Sequence, residues 1–174
     1  RVDSVNGLTP FGFSYIKEME RLGIIIDVSH LNDAGFWDVF DTCTKPFVAS
    51  HSNARRICPV ARNLSDEMIL ALKEKGGVMG LNFCGDFLEL HDLPNGKSRI
   101  EAMVKQIQYI KDLAGIEVIG LGTDFDGINC ECEIENASQM YLLEQALYEA
   151  GFTTEEVEKI FYKNVLRVYQ EVLK

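Results

Sequence analysis

The sequence predicts an α/β fold in which four parallel strands alternate with helices within one domain, residues 1–174. Two observations carry this prediction. Short β-branched or glycine-rich segments suit buried strands, and segments of helical periodicity lie between them. Such alternation is typical of a parallel sheet with right-handed crossovers and helices packed outside.

The strand candidates are short and apolar, as expected for strands that helices cover on both faces. They are residues 24–29, 47–50, 77–83 and 118–123. The helix candidates follow the 3.6-residue period. They are residues 10–22, 32–42, 65–75, 98–114, 137–150, 154–162 and 165–173.

Capping residues mark several of the helix ends. Ser65 and Thr153 precede acidic residues at the predicted start of a helix, where a hydroxyl and early carboxylates are favourable. Glycine follows four of the periodic segments, where a left-handed C-cap is expected. These glycines are Gly23, Gly76, Gly115 and Gly151.

The net charge of −10 argues against binding to nucleic acid or to anionic membrane surfaces. No stretch approaches the roughly 20 apolar residues that span a bilayer, and residues 1–9 lack the apolar core of a signal peptide. Five cysteines without framework spacing favour reduced thiols. We therefore expect a cytoplasmic protein.

Cys130 and Cys132 flank a single residue, which invites comparison with a metal site. Zinc-binding pairs usually have two to four intervening residues and a second pair elsewhere. The alternative interpretation, which we favour, is a loop with two incidental thiols.

Two of the three histidines, His30 and His51, each end a predicted strand and each follow a serine. Ligands of parallel α/β proteins bind beyond the C-terminal ends of the strands. The equivalent positions indicate a shared metal centre. Taken singly, each imidazole could instead satisfy a backbone group at a polar strand end.

Asp124 follows the fourth predicted strand and reaches the same edge of the sheet. Imidazole and carboxylate hold zinc while leaving a position for water, and a nearby carboxylate can take and return a proton. We assign this proton-handling role to Asp124. Asp126, next to Gly127, is interpreted as part of a turn.

Three arginines, Arg55, Arg56 and Arg62, follow His51 in a predicted strand-to-helix loop. A guanidinium group is shaped to bind a carboxylate. At least one substrate contact is plausible here, although a solvated surface charge is the default for each arginine.

Six segments carry a more specific signal. They are 7–12 (GLTPFG), 21–30 (RLGIIIDVSH), 50–54 (SHSNA), 62–64 (RNL), 122–127 (GTDFDG) and 164–168 (NVLRV). In order and spacing this set resembles the renal (membrane) dipeptidase family of zinc metallopeptidases, and the resemblance covers essentially the whole chain.

The resemblance implies a (β/α)8 barrel with two zinc ions, which hydrolyses dipeptides. It makes His30 and His51 ligands of zinc and Arg62 the residue that binds the terminal carboxylate of the substrate. Asp124 corresponds to the aspartate that contacts the substrate amino group and shuttles a proton. Arg55 and Arg56 then return to surface roles.

The same resemblance leaves part of the family's site without a counterpart in this sequence. The family's His-x-Asp pair, bridging glutamate and further histidine precede the Gly-Leu-Thr-Pro-Phe-Gly motif. The four strands therefore correspond to the C-terminal half of the barrel, which takes about 250 residues when complete. Replacement ligands can be imagined at Asp27, Asp86 or Glu89, and His91 is interpreted as a surface residue.

Two further interpretations stay open. A non-catalytic half-barrel would leave sheet edges unpaired and cover them by forming a homo-oligomer. A different metallohydrolase on the same barrel, of the amidohydrolase type, would call for lysine or additional histidine ligands.

Overall fold

A computed structural model describes residues 5–91 and 96–174, and a three-stranded parallel sheet lies at its centre. The strands stand in the order β1 (Val48–Ala49), β2 (Val78–Leu81) and β3 (Ile119–Leu121). Val48 pairs with Val78, and Met79 pairs with Ile119. The predicted α/β class with parallel strands is confirmed.

The prediction of four strands is wrong, because residues 24–29 join the sheet only through an isolated bridge between Asp27 and Val48. Two backbone hydrogen bonds of 2.8 and 2.9 Å flank this bridge. Beyond it, the Asp27 carboxylate accepts hydrogen bonds from the backbone N–H groups of Ser29 (3.0 Å) and Ser50 (2.9 Å). A side chain thus takes the place of further backbone pairing at this edge.

Helices cover the sheet and agree closely with the periodic segments of the sequence. They are α1 (Pro10–Leu22), α2 (Asp33–Thr42), α3 (Asp66–Glu74), α4 (Gly85–Leu88), α5 (Ile100–Ala114), α6 (Tyr141–Glu149), α7 (Thr154–Glu158) and α8 (Asn164–Val172). Short 3₁₀ turns occupy Ile116–Val118 and Ala137–Gln139. Only α4 was not predicted, since four residues are too few to show a helical period.

The predicted caps are present. Ser65 accepts a hydrogen bond from the N–H of Met68, and Thr153 forms a reciprocal capping box with Glu156. All four predicted C-terminal glycines have positive φ angles. Gly23, for example, has a φ of 75° and ends α1 in the left-handed conformation.

The last two predicted helices form one continuous helical run, because a π-helical turn at Lys159–Lys163 joins α7 to α8. An extra residue within a turn shifts the phase of the apolar positions. This shift makes one run resemble two helices in the sequence.

The sheet has apolar side chains on both faces. Ala49, Met79 and Ile119 are fully buried in the main core, which includes residues of α3 and α5. Val78 belongs to a second cluster, together with Val168 and Val172 of α8.

Helix α8 lies near the N-terminal ends of the strands. The Arg167 guanidinium donates to the carbonyl oxygens of Gly76, before β2, and of Glu117, before β3. The buried Asn164 amide donates to the carbonyls of Ile116 (2.7 Å) and Ile119 (2.8 Å). The C-terminal ends of the strands are therefore left to the loops that carry the candidate site.

In the described ranges, 5–91 and 96–174, none of the helices has the length and apolar character needed to cross a bilayer.

We expect Asn164→Ala to lower the free energy of unfolding by about 2–3 kcal/mol, because two buried carbonyl groups lose their donor. Urea denaturation monitored by circular dichroism measures this change. Gln170→Ala, at an exposed position of the same helix, is the control and should change stability by less than about 0.5 kcal/mol. Equal losses in the two variants would contradict the anchoring role of Asn164.

Candidate metal and substrate site

The two strand-end histidines meet beyond the sheet. The Nε2 atoms of His30 and His51 lie 3.0 Å apart, and the ring centroids are 4.9 Å apart. His51 follows β1 by two residues, while His30 follows the bridged segment at Asp27. Parallel pairing brings both C-terminal ends to the same edge, so two residues 21 apart in sequence share one site.

A chain of hydrogen bonds determines which nitrogen of His51 carries the proton. The Ser50 hydroxyl lies 2.5 Å from Asp27 Oδ2 and 2.7 Å from His51 Nδ1. A hydroxyl has one proton, and it donates that proton to the carboxylate. Ser50 must then accept from an Nδ1–H group on His51, which leaves His51 Nε2 with a free lone pair directed at His30.

Asp27 is suited to accept these hydrogen bonds as a carboxylate. Burial alone would raise the pKa of Asp27, but hydrogen bonds from Ser50 and Ser29 outweigh burial and hold the pKa below its usual value. An ionised Asp27 acts only as an acceptor. The order of donors along the Asp27–Ser50–His51 chain is therefore determined.

His30 has a lowered pKa. Desolvation of His30 is the largest cause, the neighbouring Arg62 and His51 add to it, and the charges of Asp27 and Asp124 act in the opposite direction. The neutral imidazole is the form that binds a metal ion. The surroundings of His30 therefore favour the ligand form.

Arg62 is half-buried at the same edge of the sheet. Its guanidinium group donates to the Ser29 carbonyl oxygen, and its Cζ lies 5.6 Å from the centroid of the Phe87 ring. Burial lowers the pKa of Arg62, while the charges of Asp124 and Asp27 counteract this effect. An arginine remains charged in such surroundings, so Arg62 offers a positioned cation beside His30.

Arg55 has a structural role. It forms an ion pair with Asp33 through two hydrogen bonds of 2.7 Å, and its Nε donates to the Asn63 carbonyl oxygen. Arg56 is exposed. Of the three arginines in this loop, Arg62 is the one placed against the two histidines.

Asp124 adopts an unusual backbone conformation, with a φ of 59°. Non-glycine residues in this region are strained by about 1–3 kcal/mol and occur preferentially at functional sites. Its Oδ2 atom accepts a hydrogen bond of 3.2 Å from the Asn82 amide. A Cβ atom on Gly127 would lie 2.2 Å from Asp124 Oδ1, so a side chain there would displace the Asp124 carboxylate. Asp126 is exposed in the same turn, as its assignment to a turn implies.

Three buried asparagines connect the loops of the site, and none of them was predicted to be a site residue. Asn53 and Asn82 exchange two hydrogen bonds of 2.9 Å, and the Asn53 N–H donates to Asn63 Oδ1 at 3.3 Å. Asn63 adjoins Arg62, and Asn82 holds Asp124. The available signal was Asn82, a polar residue near the C-terminal end of the predicted strand 77–83.

The other imagined ligands are engaged elsewhere. Glu89 forms an ion pair with Arg99 at 2.5 Å, Asp86 Oδ1 accepts from the Gly96 N–H at 2.7 Å, and His91 Nε2 lies 3.0 Å from the Gly85 carbonyl oxygen. Among the residues that the structure describes, no three or more histidine, cysteine or acidic side chains are grouped as a metal site.

Comparison with known proteins identifies the family. The membrane dipeptidase family (peptidase family M19) matches residues 1–174. The chain belongs to this family. An uncharacterized Klebsiella pneumoniae protein encoded in the pqqA 5' region is 36% identical over 170 residues, which cover 98% of this chain and 63% of that protein. Dipeptidase tcpJ of Claviceps purpurea is 33% identical over 168 residues, covering 96% of this chain and 39% of tcpJ.

A solved structure gives the same result for a member of this family. The metallopeptidase of Rhodobacter sphaeroides, liganded with a phosphinate mimic of the dipeptide L-Ala-D-Ala, superposes with a TM-score of 0.92 at 31% identity. The match covers 98% of this chain and 48% of that chain. The present chain thus spans between 39% and 63% of the length of these three relatives.

We expect Ser50→Ala to abolish the preference of His51 for the Nδ1–H tautomer, because the acceptor of that proton is lost. Two-bond ¹⁵N–¹H correlation spectra of the histidine rings report the tautomer directly. Loss of the hydrogen bonds should also lower the free energy of unfolding by about 1–2 kcal/mol.

Ser52→Ala is the matched control. Ser52 directly follows His51 in the sequence, as Ser50 directly precedes it. The Ser52 hydroxyl is buried and has no hydrogen-bond partner within the described part of the chain. This substitution should leave the His51 spectrum unchanged. A His51 spectrum that stays the same in Ser50→Ala would overturn the assigned hydrogen-bond order.

Proposed function

We propose that this chain forms the C-terminal half of a zinc-dependent dipeptidase barrel and contributes two zinc ligands together with the residues that bind the two ends of a dipeptide. The observation that carries this proposal is the 3.0 Å approach of His30 Nε2 and His51 Nε2, at a rim shared with Arg62 and Asp124. Membership of the M19 family supports the reaction class.

The two imidazoles fit one zinc ion. Zinc–nitrogen bonds of about 2.0–2.1 Å in a tetrahedral arrangement place two ligand nitrogens roughly 3.3 Å apart, close to the observed 3.0 Å. A catalytic zinc site uses three protein ligands and keeps one position open. His30 and His51 therefore supply part of a site, and when zinc is bound it lowers the pKa of a coordinated water.

Arg62 is suited to bind the C-terminal carboxylate of a dipeptide. A guanidinium group makes paired hydrogen bonds to a carboxylate, and such charge-assisted bonds are stronger than neutral ones. The Phe87 ring lies against the guanidinium group, and the adjacent Asn63 is fixed by hydrogen bonds to the carbonyls of Cys58 and Phe87. These contacts limit the rotation of Arg62 before substrate arrives.

Asp124 is suited to contact the substrate amino group and to carry a proton. The Asn82 amide holds one carboxylate oxygen, which leaves the other able to accept a proton. A cation at Arg62 and an anion at Asp124 complement the two charged ends of a free dipeptide. This charge pattern favours free dipeptides over longer chains, whose termini lie further apart.

Activity requires ligands beyond those of this chain. It covers 39–63% of the relatives named above, so the remaining metal ligands are assigned to the other half of the barrel. The homo-oligomer expected from open sheet edges stays a prediction, as does the cytoplasmic location. Among the described residues no third histidine is grouped with His30 and His51, so the additional histidine ligand that the amidohydrolase alternative calls for is not found at this site.

We expect zinc titration of the isolated chain by calorimetry to show weak binding at one site, because two imidazoles are too few for tight coordination. His30→Ala and His51→Ala should each abolish that binding. His91→Ala is the control: its imidazole contacts the Gly85 carbonyl, so zinc binding should stay within about twofold of wild type. Binding that persists in both His30→Ala and His51→Ala would refute the ligand assignment.

We expect dipeptide hydrolysis when the chain is combined with a polypeptide that supplies the remaining half of an M19 barrel, in the presence of zinc. In that complex Arg62→Ala should raise KM by about 10- to 100-fold. This change corresponds to the loss of about 1.5–3 kcal/mol of binding energy, which is what a hydrogen bond to a charged group contributes. Initial rates measured over a range of Ala–Ala concentrations give KM and kcat.

Arg56→Ala serves as the control for charge, since Arg56 is exposed in the same loop. It should leave KM unchanged. An unaltered KM in Arg62→Ala would show that Arg62 does not bind substrate. Absence of hydrolysis in a folded, zinc-loaded complex would reject the dipeptidase proposal.

A further inference from the structure

Cys130 and Cys132 form a close pair of thiols. Their Sγ atoms lie 3.5 Å apart, and the Cys132 Sγ lies 3.4 Å from the Cys130 carbonyl oxygen. Both side chains are partly exposed. The sequence suggested incidental thiols in a loop, but the structure places them in direct contact.

Backbone pairing fixes the position of this loop. Cys132 forms an isolated parallel bridge with Ser98, where the Ser98 N–H donates to the Glu131 carbonyl at 2.8 Å and the Glu133 N–H donates to the Ser98 carbonyl at 3.0 Å. Lys97 adds an ion pair to Glu131 at 2.9 Å. The two thiols are therefore presented by an anchored segment at the start of α5.

The thiols open into a cavity of about 200 Å³. Its lining residues are Phe125, Ile128, Cys130, Glu131, Cys132 and Glu135. Phe125 directly follows Asp124, so this cavity adjoins the turn that carries the candidate catalytic carboxylate. Glu131 shares the single cation of Lys97 with Glu133, and Glu135 adds a further carboxylate at the wall, so the surroundings keep a net negative charge that favours a positively charged ligand.

The two sulfur atoms are suited to different steps. Burial, and then the hydrogen bond with Cys130, raise the pKa of Cys132 to about 11. The Cys132 thiol also donates its proton to the Cys130 carbonyl oxygen at 3.4 Å, so we assign the second, resolving step to Cys132 and the first attack to Cys130. Burial also raises the pKa of Cys43 to about 11, but that residue lies in the core away from this pair.

We propose that Cys130 and Cys132 form a thiol–disulfide exchange site that accepts small cationic disulfides of the aminothiol class. The inference stands on the sulfur contact, the anchored loop and the acidic cavity. It does not depend on the dipeptidase proposal.

The exchange balances in two steps. The Cys130 thiolate attacks one sulfur of the disulfide RSSR, which forms a mixed disulfide and releases RS⁻. Cys132 then transfers its proton to solvent or to RS⁻ and attacks the Cys130 sulfur, which forms the Cys130–Cys132 disulfide and releases the second RS⁻. Two protein thiols are oxidised, and one external disulfide is reduced to two thiols.

Closing the bond shortens the sulfur separation from 3.5 Å to about 2.05 Å. This movement is small enough for side-chain rotation with a slight loop adjustment. The disulfide would then constrain the loop at residues 130–132.

The test uses the whole chain, fully reduced, with cystamine as the probe. We expect intact mass spectrometry to show the loss of two hydrogens, and peptide mapping to place the new disulfide between Cys130 and Cys132. Cystamine should react about tenfold faster than the anionic glutathione disulfide at low salt, and the two rates should converge at high salt.

Variants separate the assigned roles. Cys132→Ser should accumulate the mixed disulfide at Cys130, whereas Cys130→Ser should slow the reaction at least tenfold. Cys84→Ser is the matched control, because Cys84 is a third partly exposed thiol near the pair, and it should react as wild type. A disulfide between Cys84 and Cys130, or equal rates for the two probes at low salt, would overturn the proposal.

Discussion

The Asp27 carboxylate is the group on which both the sheet edge and the candidate site depend. It accepts the backbone N–H groups of Ser29 and Ser50 and the hydroxyl of Ser50. The first two bonds end the pairing of the edge segment with β1. The third orients Ser50, which in turn fixes the proton of His51. One ionised side chain therefore holds the edge segment against β1 and leaves the Nε2 lone pair of His51 free at the candidate site.

A second set of contacts holds the opposite charges of the site in place. Asn53, Asn63 and Asn82 are almost completely buried, and their mutual hydrogen bonds tie together the loops that follow β1 and β2. Buried amides of this kind are costly unless they are satisfied. Here the network supports the strained backbone of Asp124 through Asn82. The strain is consistent with a residue kept for function and not for stability.

Features that depend on local sequence were predicted, and features that depend on distant contacts were not. The caps at Ser65 and Thr153 act within one turn, so the sequence alone locates those helix starts. The first strand was predicted wrongly because its pairing is replaced by Asp27, a non-local side-chain contact. The π-helical turn at Lys159–Lys163 hid the continuity of the last helix. The positions of His30 and His51 followed from strand ends, but their hydrogen-bonded partners required the fold.

The two ends of the strands have different roles. Asn164 and Arg167 bind carbonyl groups near the N-terminal ends of β2 and β3, so helix packing stabilises the end opposite the site. The Asp27–Ser50–His51 chain is complete within this chain. The orientation of His51 therefore does not depend on a bound metal. In the proposed metal site, affinity is then set by the number of ligands and not by the orientation of His51.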